Sequence, residues 1–85
     1  MTLKIERSFQ KGKAYLRLSG RIGFDNLEEL KAQLEGQAAS TLDMEQVTLV
    51  DLDAIRLLVA LEAEGTQVVH CSAYIREWMA RERKS

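Results

Sequence analysis

The stretch LDMEQVTLVDLDAIRLLVALEAEG, residues 42–65, decides the fold of this chain. It predicts a short strand over Leu42–Met44, a tight loop, and an apolar helix that begins at Asp51 or Asp53 and ends at Gly65. Aspartate is a favoured helix N-cap, and glycine readily takes the left-handed conformation in which helices end. A strand followed closely by a helix indicates an α/β arrangement.

Two runs of alternating apolar and polar residues precede this stretch. Thr2–Arg7 and Lys13–Ser19 both repeat with period two, which is typical of half-buried strands. The turn-forming segment Gln10–Gly12 joins them. Alternating runs separated by a short glycine-containing loop predict an antiparallel hairpin.

A loop over Gly20–Phe24 and a first helix are predicted next. Asp25 precedes Glu28 by three residues, which is the spacing of a capping box, and Gly36 is the predicted helix stop. One leucine stripe marks the buried face of this amphipathic helix: Leu27, Leu30 and Leu34.

A last strand and helix complete the pattern. Gln67–Cys71 is mostly apolar, and Ser72 is placed to cap a helix that follows it. The order β-β-α-β-α-β-α then predicts parallel neighbours with right-handed crossovers, because each later strand is reached through a helix. We therefore expect an α/β fold, a four-stranded mixed sheet with an antiparallel hairpin at its edge and three helices packed on it. The final helix presents one apolar face: Tyr74, Ile75, Trp78 and Met79.

Length, charge and composition bound the function. The 85 residues predict one domain, 1–85, and the net charge of −1 argues against a nucleic-acid partner, since phosphate-backbone binding needs a basic surplus. No apolar run approaches the ~20 residues that span a bilayer, so we expect no membrane insertion. One cysteine and an N-terminus without an apolar signal core predict a cytoplasmic protein.

The sequence offers little support for catalysis. His70 and Cys71 end a predicted strand, but neighbouring strand residues point to opposite faces and cannot pair. The Cys71 thiol, next to a helix start, could have a lowered pKa, which leaves open an enzyme or thiol sensor. A single histidine offers no metal constellation, and no glycine-rich phosphate loop or Ser-His-Asp set is visible. We predict no enzymatic activity, no cofactor and no metal.

The apolar helix has two apolar stripes. The first, which should lie on the sheet, comprises Ala54, Leu57, Leu58 and Leu61. The second, turned away from the first and bordered by Arg56, comprises Leu52, Ile55 and Val59. Either this second stripe is a partner-binding or dimer surface, or it packs under neighbouring loops.

Two segments carry a family resemblance. LRLSGRIGFDNLEELKAQL, residues 16–34, is similar to the strand, loop and first helix of STAS domains, the fold of bacterial anti-sigma factor antagonists. LDMEQVTLVDLDAIRLL, residues 42–58, resembles the family's run that ends in D-S-S-G, with Asp43, Val47 and Asp51 at the expected spacing. The resemblance implies a non-enzymatic protein–protein interaction module in bacterial signalling and transcription regulation.

The departures from the family pattern concern its switch. In the antagonists that this chain resembles, a partner kinase phosphorylates the first serine of D-S-S-G, and partner switching follows. Leu52 stands at that position and has no hydroxyl, while Gly23 replaces the acidic residue of the first loop. Asp53 stands at the second serine, where it is either a second capping carboxylate or a standing negative charge.

The resemblance implies a protein partner related to an anti-sigma factor or kinase, bound constitutively rather than by a phosphoserine switch. An accessory subunit docked on a transporter ATPase is the alternative, and homodimerisation stays open. The binding surface is expected at the Asp51–Arg56 helix start and the Gly20–Asp25 loop. The candidate residues are Gly23, Asp25, Asp51, Leu52, Asp53, Ile55, Arg56 and Val59.

Overall fold

The computed structural model describes residues 3–34 and 41–84, and this part of the chain begins with an antiparallel hairpin. Strand β1, Leu3–Gln10, pairs with β2, Lys13–Ile22, across a two-residue turn. Both turn residues have positive φ, 54° at Lys11 and 79° at Gly12. That is the turn geometry whose twist matches paired strands. The predicted hairpin is confirmed, and β1 continues three residues beyond Arg7, where its alternation indicated the end.

The remaining elements follow the predicted order. They are α1 (Leu27–Leu34), β3 (Thr41–Val50), α2 (Leu52–Ala63), β4 (Gln67–Val69) and α3 (Ala73–Arg83). The strands form one sheet in the order β1-β2-β3-β4. β2, β3 and β4 are parallel, and β1 is the antiparallel edge, which confirms the predicted mixed sheet with three helices. Gly36, the predicted stop of α1, lies outside the described residues.

The central strands are longer than predicted. β2 continues through Gly20 to Ile22, and β3 continues from Met44 to Val50, where the sequence pattern predicted loops. The two strands pair in parallel over this length, with two register shifts at which β3 accommodates one extra residue each. These irregularities break the alternation of β3, so its second half did not have the pattern of a strand. The extension brings the ends of both strands to the same edge of the sheet.

The core lies on one face of the sheet. Strand residues such as Leu16 and Leu42 share one buried cluster with helix residues such as Leu30 and Leu58. The other face is polar, and it carries the buried carboxylate of Asp43. Among the described helices, none is both long and apolar enough to cross a membrane.

α2 packs between the sheet and α3. Ala54 and Leu58 are fully buried, as the first predicted stripe requires, and Leu57 and Leu61 are partly buried. Ile55, however, is also fully buried, so its place in an outward-facing stripe was wrong. The reason is the docking of α3, whose own residues enter the same core and cover the second side of α2. The α3 residues concerned are Ile75 and Met79, fully buried, and Trp78, partly buried.

Polar contacts fix α3 against its neighbours. Glu62 of α2 accepts hydrogen bonds from Arg76, at 2.9 Å, and from Arg83. Arg76 also donates from Nη2 to the carbonyl oxygen of Val68 in the edge strand β4, at 2.6 Å. Ser72 caps α3 by accepting from the Ile75 N–H at 3.3 Å, as predicted. Arg76 therefore joins the last helix to both α2 and the outer edge of the sheet.

Candidate partner-binding site

Asp51 organises the end of the sheet where β2 and β3 finish. It is the N-cap of α2, and its Oδ1 accepts from the Ala54 N–H at 2.9 Å. Its Oδ2 accepts from the Phe24 N–H, also at 2.9 Å, and its own N–H donates to the Ile22 carbonyl at 3.3 Å. The hydrogen bond from Ala54 lowers the pKa of Asp51, helped by Phe24 and by the charge of Arg21 against the opposing effect of burial. One ionised side chain thus joins the helix start to the preceding loop.

The other end of α2 is also as predicted. Gly65 has φ of 103°, and its N–H donates to the Glu62 carbonyl at 3.1 Å. The Thr66 N–H donates to the Leu61 carbonyl at 3.0 Å. This pair of bonds is the Schellman pattern, in which a left-handed glycine ends the helix. The boundaries of α2 therefore follow from the sequence at both ends.

The loop that Asp51 holds begins at Gly23. The Gly23 N–H donates to Asn26 Oδ1 at 2.8 Å, and the Asn26 N–H donates back to the Gly23 carbonyl at 3.0 Å. This exchange closes a 3₁₀ turn, Phe24–Asn26, directly before α1. The predicted capping box from Asp25 to Glu28 is therefore wrong, because the reciprocal bonds form two residues earlier.

Gly23 is needed at its position for reasons of space. It is buried, and a Cβ there would lie 3.1 Å from Asp51 Oδ2 and 3.1 Å from Asp25 Oδ1. The same Cβ would lie 3.2 Å from Arg21 Nη2, so any side chain at this position would have to displace three neighbouring side chains slightly. Glycine is what allows Asp51 to approach the loop so closely.

Exposed apolar side chains lie near the hydrogen bond between Asp51 and the Phe24 loop. Phe24 is 73% exposed, Leu49 near the end of β3 is 57% exposed, and Leu52 at the start of α2 is 38% exposed. Asp25 and Asp53 are exposed beside them. Exposed apolar residues gathered at one end, rimmed by charge, are typical of a surface that binds another protein. We call this group, Phe24, Leu49 and Leu52 with Asp25 and Asp53, the docking end.

Three of the predicted site residues do not join the docking end. Ile55 is buried under α3, and Val59 is partly buried against the core. Arg56 is exposed but its Nε lies 3.3 Å from Glu82 of α3. Of the second apolar stripe, Leu52 is exposed and Ile55 is buried, so the stripe does not form one outward-facing surface as predicted.

Sequence reasoning did not name two residues of the docking end as candidates, although one of them, Phe24, lies within the predicted Gly20–Asp25 binding loop. Phe24 and Leu49 both fell in segments predicted as loops. Their side chains could have indicated a binding role, because a large apolar residue in a predicted loop belongs to no buried strand or helix face. Only the extension of β3 to Val50 brings Leu49 to the same end as Leu52.

A second polar cluster lies on the open face of the sheet, around Asp43. Its Oδ2 accepts from the Tyr15 hydroxyl at 2.6 Å, and its Oδ1 accepts from the Glu45 N–H at 3.0 Å. His70 Nδ1 lies 3.1 Å from the same Oδ1. Burial alone would raise the pKa of Asp43, but these hydrogen bonds outweigh it and lower the pKa to about 2. The bond to Asp43 correspondingly raises the pKa of Tyr15.

The position of His70 explains why sequence reasoning missed this cluster. β4 ends at Val69, and His70 takes a left-handed conformation with φ of 58°. The turn directs its ring to Asp43, whereas a regular strand would have sent it to the other face. Cys71 does not share the site, and burial raises the pKa of its thiol, opposed by the charge of Arg76. The lowered Cys71 pKa that the sequence left open is therefore not supported.

Comparison with known families agrees with this geometry. The family model described as "Mlab, STAS domain" matches residues 5–72. The match covers both central strands, α1, α2 and the Asp51 region, so the chain belongs to the STAS domain family. No curated protein sequence matches the chain.

Solved structures share the fold at low sequence identity. The anti-sigma factor antagonist SpoIIAA in its unphosphorylated form superimposes with a TM-score of 0.67 at 16% identity, covering 89% of this chain and 79% of that one. An anti-sigma factor antagonist STAS domain from Rhodobacter sphaeroides gives 0.56 at 17%, covering 78% and 82%. An uncharacterised protein from Shewanella loihica with a SpoIIAA-like fold gives 0.52 at 14%, covering 94% and 75%. The fold is therefore that of anti-sigma factor antagonists.

Proposed function

We propose that this chain is a non-enzymatic docking module of the anti-sigma factor antagonist type, whose protein partner binds at the docking end. The observation that carries the proposal is the pair of hydrogen bonds that the Asp51 carboxylate accepts, one from the Phe24 loop and one from the start of α2. It holds exposed apolar side chains from two separate segments at one rigid surface. Rigid apolar anchors lose little entropy on binding, which favours a stable complex.

The proposed binding is constitutive. Leu52 stands where the resembled family carries its phosphorylated serine, and a leucine side chain accepts no phosphate. A phosphate there would add a charge of about −1.5 to −2 beside Asp51 and Asp53 and would disrupt an apolar contact. Without it, the surface keeps one state, and the abundance of the two proteins governs the complex.

A permanently open surface also suits a second candidate, an accessory subunit on a transporter ATPase. The absence of an acceptor hydroxyl at Leu52 favours it, since a fixed subunit needs no release signal. Both candidates use the docking end, and they differ in the partner alone.

Direct binding measurements separate the candidates. The tag-free chain is titrated with anti-sigma factors and with transporter ATPases encoded in the same genome. Leu52→Glu places a charge within the docking end and should weaken binding at least about tenfold, because it buries an unpaired carboxylate. Ala60→Glu adds the same charge to an exposed position further along α2 and should leave binding unchanged. Binding to neither class of partner, or equal weakening by both variants, would overturn the proposal.

The constitutive character has its own test. With a cognate anti-sigma kinase and ATP, the complex of the unmodified chain should persist and carry no phosphate by mass spectrometry. Leu52→Ser restores a hydroxyl and should make release depend on ATP. Release of the unmodified chain, with phosphate on a nearby hydroxyl such as Thr48, would show that the switch has moved.

A further inference from the structure

The Asp43 cluster contains a set of donors suited to a metal ion. Asp43 and Glu45 lie two residues apart on β3, and His70 reaches them from the turn after β4. One oxygen or nitrogen from each of these side chains lies within 4.8 Å of the others. Three convergent donors of two kinds, carboxylate and imidazole, are what zinc and similar ions use in proteins.

The geometry points to a binding site for one divalent transition-metal ion, such as Zn²⁺, formed by Asp43, Glu45 and His70. The site lies on the open face of the sheet and uses none of the residues of the docking end. The metal site and the proposed function can therefore be tested separately.

The distance between the two innermost donors fits a shared ion. Zinc binds histidine nitrogen at ~2.0–2.1 Å and carboxylate oxygen at ~2.0–2.2 Å, so two ligands of a tetrahedral ion lie about 3.3 Å apart. His70 Nδ1 and Asp43 Oδ1 are 3.1 Å apart. An ion held by both atoms would take the place of the direct contact between them.

The surroundings hold the central ligand in place. The Asp43 side chain is 3% exposed, and the Tyr15 hydroxyl and the Glu45 N–H fix the orientation of its carboxylate. Such contacts to a ligand orient it and raise metal affinity.

The outer side of the site is open. Glu45 and His70 are exposed, and the His70 side chain is 58% accessible, so an ion can enter from solvent. Arg17 of β2 pairs in register with Asp43 and adds a positive charge nearby, which opposes cation binding. Three ligands and one opposing charge indicate an affinity below that of a closed four-ligand site.

Calorimetric titration of the tag-free chain with zinc chloride, in a buffer that does not chelate metals, tests the site. We expect saturable binding of one ion per chain and none with magnesium chloride at the same concentrations. His70→Asn removes the imidazole with a residue that tolerates positive φ, and it should weaken zinc binding at least about tenfold. Glu45→Gln should weaken it several-fold. Both variants alter exposed side chains, and circular dichroism verifies that they fold.

The matched control is Cys71→Ser, because the neighbouring thiol is the other strong zinc donor in this region. Zinc binding should be unchanged in this variant, and amide signals of Glu45 and His70 should shift most in ¹⁵N spectra. Absence of saturable binding up to millimolar zinc would overturn the site. Binding that survives His70→Asn, or that is lost in Cys71→Ser, would overturn it equally.

Discussion

Two carboxylates mark the two ends of β3, and the protein holds them by different means. Asp43, near the start, is buried and held largely by side chains from other segments, those of Tyr15 in β2 and His70 in the turn after β4. Asp51, just past the end, is held by backbone N–H groups of α2 and of the Phe24 loop. The comparison shows that Asp43 connects neighbouring segments across the sheet, whereas Asp51 fixes the shape of the loop and helix start at the sheet's end.

The largest expected effect is that of Asp43→Ala on stability. The change removes a buried carboxylate and leaves the partly buried Tyr15 hydroxyl and the Glu45 N–H without their acceptor, which should cost about 3 kcal/mol of unfolding free energy. Urea unfolding followed by circular dichroism measures it. Tyr15→Phe, which removes one partner only, should cost about 1 kcal/mol. A loss below ~0.5 kcal/mol in Asp43→Ala, the range of ordinary surface changes, would contradict this connecting role.

Acid should remove much of the same stabilisation. The folded pKa of Asp43 is lowered from 3.8 to about 2, so its contribution is complete above the unfolded value and is lost as pH falls towards 2. The shift corresponds to roughly 2 kcal/mol. Asp51 adds a smaller loss in the same direction, since its pKa is also lowered. Urea unfolding at several pH values between 7 and 2 measures how the unfolding free energy falls with acid, and this fall should be smaller in Asp43→Asn. An equal fall in that variant would mean that other groups cause the acid destabilisation.

Asp51→Asn should have a smaller effect on stability and a local effect on the docking end. Asparagine remains a good helix cap, but its amide nitrogen cannot accept from the Phe24 N–H. We expect a loss of about 1 kcal/mol, with faster hydrogen exchange at Phe24 and little change at Ala54. Asp51→Ala should expose both amides. Equal protection of Phe24 in all three proteins would show that Asp51 does not hold the loop.

The smallest effect is expected for Asp53→Asn. Asp53 lies in the first turn of α2, is exposed, and gains from the helix dipole alone. Its replacement should change the unfolding free energy by less than ~0.5 kcal/mol and leave Phe24 exchange unaltered. A loss as large as that of Asp51→Asn would mean that charge at the helix start, rather than bonding geometry, stabilises this end.

The two ends of β3 also differ in how far the sequence predicts them. Asp51, Gly65 and Ser72 act through bonds within a few residues of themselves, so local patterns identified the boundaries of α2 and the start of α3. The order of the elements extended this to the mixed sheet with its antiparallel edge, whereas the binding surface around Leu52 stays a prediction. The helix boundaries depend on short-range chemistry, which a sequence displays directly.

What the sequence did not reveal depends on contacts between distant segments. The extension of β3 rests on pairing with β2 through two register shifts, and the burial of Ile55 rests on the docking of α3. The approach of His70 to Asp43 needs a left-handed residue after β4, which nothing in its neighbours indicates. Each of these requires knowing the fold before the residue can be interpreted.

The bond from Arg76 to the Val68 carbonyl has a consequence for assembly. It occupies an outward hydrogen-bonding group of β4, whereas β1, at the opposite edge, pairs with β2 alone. An added strand can therefore join the sheet at β1 and meets a guanidinium at β4. Strand addition to this sheet is therefore less hindered along β1 than along β4, where the last helix places Arg76 over the edge.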